Sequence, residues 1–170
     1  MSSVPTAPNP ASGEPGTRAA LVGVLVVDDQ LAVREGLARL ISCAALPLRC
    51  VITAANGPDA LTAAALMRPE VVVLDVDLAG EDGLALIPEL RKTAGILVLT
   101  SHGDSTTRAR ARQLGAAGFI EKHQPAAELL GSIVAIGHLR MRGEEAPAMH
   151  GSTTHPDVVA PSAASVRPHP

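Results

Sequence analysis

At 170 residues the chain is about one domain's worth of polypeptide, and with 46% hydrophobic and 18% charged residues most of it can bury enough apolar surface to fold. Its one aromatic residue, Phe119, leaves the core to Leu, Val, Ile and Ala and gives bases almost nothing to stack on. A formal net charge of −3 supplies no long-range pull toward phosphate backbones or anionic lipid, so neither direct nucleic-acid binding nor membrane attachment is expected.

The chain opens Met1-Ser2-Ser3-Val4-Pro5, without the basic and apolar stretches of a secretory signal, and no apolar run reaches the roughly 18 residues of a membrane span. A cytoplasmic protein is expected. Four prolines fall before residue 16 and five after residue 146, among Ser, Ala and Thr without periodicity. Residues 1–18 and 142–170 are therefore expected to be disordered tails around a folded unit of residues 19–141.

Within that unit, Val22 to Val27 (VGVLVV) has the length and β-branched content of a strand buried on both faces, and it ends at Asp28-Asp29. Leu31 to Cys43 carries apolar residues at Val33, Leu37, Leu40 and Ile41, the spacing of an amphipathic helix, and Pro47 closes the connection. Leu48 to Ala54 reads as a second strand, and Asn56-Gly57-Pro58 breaks the chain before a helix expected over Asp59 to Met67. A third strand, Val71 to Leu74, ends at Asp75. Leu84 to Lys92 reads as a helix in which Pro88 predicts a kink or a late start. Ile96 to Leu99 is a strand ending at Thr100-Ser101, Ser105 to Leu114 a helix, and Gly118 to Glu121 a fifth strand running into Lys122. The last helix, Pro125 to Leu139, has its proline near the first turn, where a missing N–H does no harm. Cys43 and Cys50 are too few for a disulfide framework or a zinc cluster, and they read as small buried hydrophobes in a reducing compartment.

Strands alternating with helices through short loops predict an α/β fold, a doubly wound five-stranded parallel sheet with five helices. In such sheets the ligand crevice lies beyond the carboxyl ends of the strands. Those ends carry Asp28, Asp29, Asp75, Thr100 and Lys122, so folding should bring four distant stretches to one rim. Carboxylates gathered there repel by ~4 kcal/mol per pair at about 4 Å and an effective dielectric of about 20. A hard divalent cation such as Mg²⁺ offsets that and leaves coordination positions for a phosphate oxygen. Lys122 supplies a compact positive charge, Thr100 a hydroxyl donor, and Asp75 a carboxylate able to carry a phosphoryl group covalently.

The segments VVDDQLAVREGL, VVLDVDLAGEDGL, LVLTS and GAAGFIEKH resemble the response-regulator receiver domain of two-component signalling, over essentially all of Ala20 to Leu139. The resemblance implies the flavodoxin-like strand order 2-1-3-4-5. It implies that Asp28 and Asp29 position Mg²⁺, with Asp29 the direct ligand of the two. Asp75 would be the phosphoacceptor and a further ligand, joined by the backbone carbonyl of Asp77. Thr100 would be the switch hydroxyl, Lys122 the phosphoryl-binding lysine, and Phe119 the aromatic that swings inward when Thr100 moves. The donor would be a phosphohistidine on a sensor histidine kinase. The output face would be the fourth helix, fifth strand and fifth helix, meeting a downstream protein or a second copy of the chain in a homodimer. No output module is expected after Met141, and the expected activity is that of a switch that phosphorylates and dephosphorylates itself rather than of an enzyme.

Some residues depart from the family's pattern or admit a plainer role. His123 stands where the family usually has a proline after a cis bond, which predicts a trans bond or strain beside Lys122. Asp28-Asp29 could instead cap the first helix. Arg108, Arg110 and Arg112 form a basic series, but steps of two point successive side chains about 200° apart, so a solvated surface is expected rather than a nucleic-acid site. His102, two past Thr100, could act with Asp77 to tune access of water to an acyl phosphate. The alternative function is a phosphorylation-independent adaptor for protein–protein interaction, in which the acids are vestigial. A flavodoxin-like cofactor binder lacks its phosphate loop here, and an aspartate-nucleophile phosphatase would carry its acid pair on the first strand.

Overall fold

In the computed structural model, which describes residues 20–144, the apolar runs form one parallel sheet. Its strands are β1 (Val22–Val27), β2 (Leu48–Ala54), β3 (Val71–Asp75), β6 (Gly95–Thr100) and β7 (Gly118–Glu121), in the order β2-β1-β3-β6-β7. The helices are α1 (Leu31–Cys43), α2 (Gly57–Met67), α3 (Ile87–Leu90), α4 (Ser105–Leu114) and α5 (Ala126–Met141). Leaving aside the small hairpin β4 (Asp77–Leu78) and β5 (Glu81–Asp82), this is the doubly wound order expected from the sequence. The disordered-tail expectation falls outside the described residues except at Arg142–Glu144, where Arg142 Nη2 pairs with Glu144 Oε2 at 3.2 Å.

Strand alternation sends successive side chains to opposite faces, and each face finds its own helices. Leu25, Val27, Val72, Leu74, Ile96 and Val98 bury against the side of α2, α3 and α4. Val24, Val26, Val71, Val73, Leu97 and Leu99 bury against Ile41 of α1 and Leu129, Ile133 and Ile136 of α5. Strands covered on both faces need no polar alternation, which is why the runs read as continuous.

Helix α2 starts earlier than the break suggested, because the Asn56 side chain accepts from Asp59 N at 2.9 Å and Pro58 occupies the first turn. Pro88 produces the late start: a 3₁₀ turn over Gly83–Leu86 comes first, and Pro88 then lies in the first turn of α3. The β4–β5 hairpin gives no such signal. Its central residues Ala79 and Gly80 have φ of 57° and 87°, a turn usually marked by Asn-Gly or Asp-Gly, and Ala conceals it. No peptide bond among the described residues is cis, so Lys122–His123 is trans.

The cysteine reading is corrected. Cys43 is exposed, since it lies about 200° around α1 from the buried Ile41, and Cys50 on the edge strand β2 is only partly buried. Among the described residues no helix is long and apolar enough to cross a membrane.

The arginine series also differs from a merely solvated face. Arg108 reaches Glu121 at 3.3 Å and lies over the Phe119 ring, 4.4 Å from its centroid. Arg110, on the other flank, pairs with Asp82. Helix α4 buries only Ala111 and packs Leu114 partly against the core, so these contacts to β7 and to the hairpin add to a thin apolar seat. We predict that Arg108→Ala with Arg110→Ala, or added salt, speeds amide exchange across Ser105–Leu114 while leaving β1 and β3 protected, as read by hydrogen–deuterium exchange. Unchanged exchange in α4 would show that apolar packing holds it alone.

Candidate functional site

Strand β1 runs on past its apolar stretch through the bond from Asp28 N to Ala54 O, so Asp28 leaves the sheet at its carboxyl edge. Only 1% of Asp28 is exposed. Its Oδ1 accepts from Gln30 N at 2.9 Å and its Oδ2 from Lys122 Nζ at 2.7 Å. Neither acid caps α1: Gln30 holds that position and makes no side-chain bond there. Asp75 closes β3 in register with Leu99 of β6 and is 6% exposed. Its Oδ1 accepts from Val76 N at 2.7 Å and its Oδ2 from Lys122 Nζ at 2.6 Å. Lys122 follows β7 directly, and its backbone N donates to Thr100 O at 2.7 Å, which carries the strand pairing up to the lysine. One ammonium thus joins two acids that lie 94 and 47 residues away in sequence.

Asp29, half-buried, completes an acidic group in which Asp28, Asp29 and Asp75 offer oxygens all within 4.8 Å of one another. No hydrogen bond or ion pair among the described residues engages the Asp29 carboxylate. Three acids against one lysine leave an excess of negative charge, presented entirely by hard oxygen atoms without a thiolate or imidazole. That donor set fits Mg²⁺ and does not fit a zinc centre.

The electrostatics follow from burial. Desolvation pushes the Asp75 carboxyl above the usual range and the Asp28 charge adds to this, while Lys122 and the Val76 N–H oppose it without cancelling it. For Lys122, burial works against the charge, but the hydrogen bonds it donates to Asp28 and Asp75 and their negative charges together outweigh it and hold the ammonium above its ordinary value.

Thr100 is 5% exposed, and its hydroxyl is occupied within its own loop, accepting from His102 N at 3.2 Å and donating to His102 O at 3.3 Å. His102 is exposed. Asp77 is exposed and its carboxylate accepts from Gly80 N at 2.8 Å inside the hairpin. Phe119, 7% exposed, packs with the α3 and α4 side of the core beneath Arg108. The fold therefore unites Asp28, Asp29, Asp75 and Lys122 directly and sets Thr100 beside them, whereas no hydrogen bond among the described residues ties Asp77, His102 or Phe119 to the acids.

Two residues at the site were not legible as site residues. Gly83, which offers no side chain to mark it, is buried where a Cβ would come within 2.1 Å of Asp75 O, and its N–H donates to Val76 O at 2.7 Å. Arg34, among the polar residues of α1, places Nη1 2.6 Å from Asp28 O and 2.9 Å from Asp29 O.

A parallel sheet whose strand ends present an acid trio and a bridging lysine defines a class of doubly wound α/β domains with an acidic rim, and comparison with known proteins specifies which. A family model described as the response regulator receiver domain matches residues 24–134. The chain belongs to that family. It is 37% identical over 118 residues to the response regulator MprA of Mycobacterium sp. (strain KMS), covering 68% of this chain and 50% of that protein. It is 30% identical over 119 residues to the transcriptional regulatory protein LnrK of Bacillus subtilis (strain 168), covering 68% and 54% respectively. The chain thus spans about half the length of these curated relatives. A crystal structure of a two-component response regulator of the LuxR family from Aurantimonas sp. SI85-9A1 superposes with a TM-score of 0.66 at 31% identity, covering 76% of this chain and 91% of that one.

Two predictions follow from the geometry. Because the Asp75 carboxyl is raised, the fold favours its neutral form; that contribution is complete below the ordinary carboxylate range and is lost as pH rises through the raised value. Asp75→Asn, measured without divalent cation, should melt higher than the parent at neutral pH, with the gap closing on acidification. A variant no more stable at neutral pH would contradict this. Gly83→Ala must move either itself or the Asp75 carbonyl and should cost about 1–3 kcal/mol in denaturant unfolding.

Proposed function

We propose that the chain is a phosphorylation switch in which Asp75 accepts a phosphoryl group from the phosphohistidine of a sensor histidine kinase, with Mg²⁺ as cofactor, and that it works in the cytoplasm. The observation that carries this reading is the Lys122 ammonium at 2.6 Å from Asp75 Oδ2 and 2.7 Å from Asp28 Oδ2, a cation held beside a carboxylate that the sheet has removed from water. An Asp75 oxygen attacks phosphorus, the N–P bond to the kinase histidine breaks, and its electron pair returns to the imidazole nitrogen. Lys122 exchanges part of its contact with Asp75 for a phosphoryl oxygen and neutralises charge there. Thr100 turns its hydroxyl from the His102 carbonyl toward a second phosphoryl oxygen.

Asp28, Asp29, Asp75 and the backbone carbonyl of Asp77 would hold Mg²⁺, which supplies charge neutralisation at the phosphoryl oxygens when bound. Movement of Thr100 loosens its loop from β7, lets Phe119 repack, and so alters the face formed by α4, β7 and α5, where a downstream protein or a second copy would dock. Asp77 and His102, both exposed beside the rim, would set how freely water reaches the acyl phosphate and hence its lifetime.

Incubation with acetyl phosphate and Mg²⁺ should add one phosphoryl group by intact mass, absent from Asp75→Asn and from samples with chelator. Lys122→Ala should retain binding of Mg²⁺ but lose the response of the α4–β7–α5 face in exchange measurements. A parent protein that gains no phosphoryl group under these conditions would leave the phosphorylation-independent adaptor as the function.

A further inference from the structure

We infer that Arg34 is a positioning residue for the divalent-cation site, acting on Asp29 through the backbone rather than through any contact with a carboxylate. The inference rests on the reading of Asp28, Asp29 and Asp75 as that site. Arg34 lies in the first turn of α1, where its backbone N donates to Gln30 O at 3.0 Å. From there its side chain runs back toward the helix start, the direction helical side chains take, and one terminal nitrogen donates to the carbonyls of two consecutive residues, Asp28 and Asp29.

Three observations make this more than a local packing contact. First, the positive end of a helix disfavours a guanidinium, and α1 has no acidic residue in its first turn to compensate. The helix itself gains nothing from the charge; the two carbonyls do. Second, α1 lacks a side-chain N-cap, so the turn between β1 and α1 is without the usual restraint at that point, and Arg34 provides one. Third, Asp28 is fixed through its own carboxylate by Gln30 N and Lys122 Nζ, but the Asp29 carboxylate has no such partner among the described residues. Where Asp29 points is governed by its peptide, and the carbonyl of that peptide is what Arg34 grips. An arginine paired directly with the Asp29 carboxylate would compete with a cation; one bonded to the carbonyl orders the ligand and leaves its oxygens free. Outer-shell groups of this kind commonly alter metal affinity by about 10–100-fold.

Calorimetric titration of Mg²⁺ into the full chain, with Mn²⁺ electron paramagnetic resonance as a second reading, tests this on the parent and Arg34→Ala, and on Arg34→Met, which keeps the aliphatic stem should the alanine variant fail to fold. The expected result is Mg²⁺ affinity weakened by about tenfold or more and a larger share of the sharp free-ion Mn²⁺ signal, with melting in chelator little changed. If Arg34 acted only as a positive charge near three acids, removing it would tighten Mg²⁺ binding, the opposite sign. A lower melting temperature with unchanged affinity would make it structural. Either of these overturns the inference, while a parent protein that binds no Mg²⁺ would instead overturn the reading of the acidic cluster.

Discussion

The structure depends on the bridge that Lys122 makes between Asp28 and Asp75. Without Lys122 the two buried carboxylates would be left without a counter-charge in a medium that solvates them poorly, so both acids depend on the one ammonium. They arrive from β1, β3 and β7, and the sheet order places β1 and β3 side by side with β7 beyond β6. The lysine must therefore extend across the rim, and the backbone bond from Lys122 N to Thr100 O fixes where it begins that reach. A parallel sheet tolerates this because its interior strands are closed on both faces by aliphatic side chains, leaving only the carboxyl edge for polar groups.

Most of the fold was legible because burial on both faces writes itself into the chain as uninterrupted Val, Ile and Leu. The helices on the outside show a stripe of the same residues with polar ones between. The strand-end acids and Lys122 were legible for a related reason: a charged residue directly after such a run has only one place to go. What the sequence concealed were features that depend on three-dimensional neighbours. Nothing about Ala79 announces a left-handed turn, and nothing about Arg34 distinguishes it from other helical arginines until the carbonyls of the β1–α1 turn are placed near it. Gly83 is equally silent, because its constraint, the Asp75 carbonyl against its α-carbon, is a contact across a loop.

The arginine series on α4 shows how periodicity can be read correctly and still be interpreted too plainly. Steps of two do place Arg108 and Arg110 on opposite flanks, yet each flank borders a segment of the candidate site: Glu121 beside Lys122, and Asp82 in the hairpin after Asp75. A helix with one buried side chain and two such tethers is coupled to both segments while remaining loosely seated.

Phe119 is the only Phe, Tyr or Trp in the chain, and it lies under the Arg108 guanidinium. Without tyrosine or tryptophan the protein is nearly silent in near-ultraviolet absorption and fluorescence. The same poverty simplifies magnetic resonance: beside the imidazole signals of six histidines, one phenyl ring reports the β7 end of the molecule, and ring-current shifts in the neighbouring arginine protons report how closely α4 sits above it.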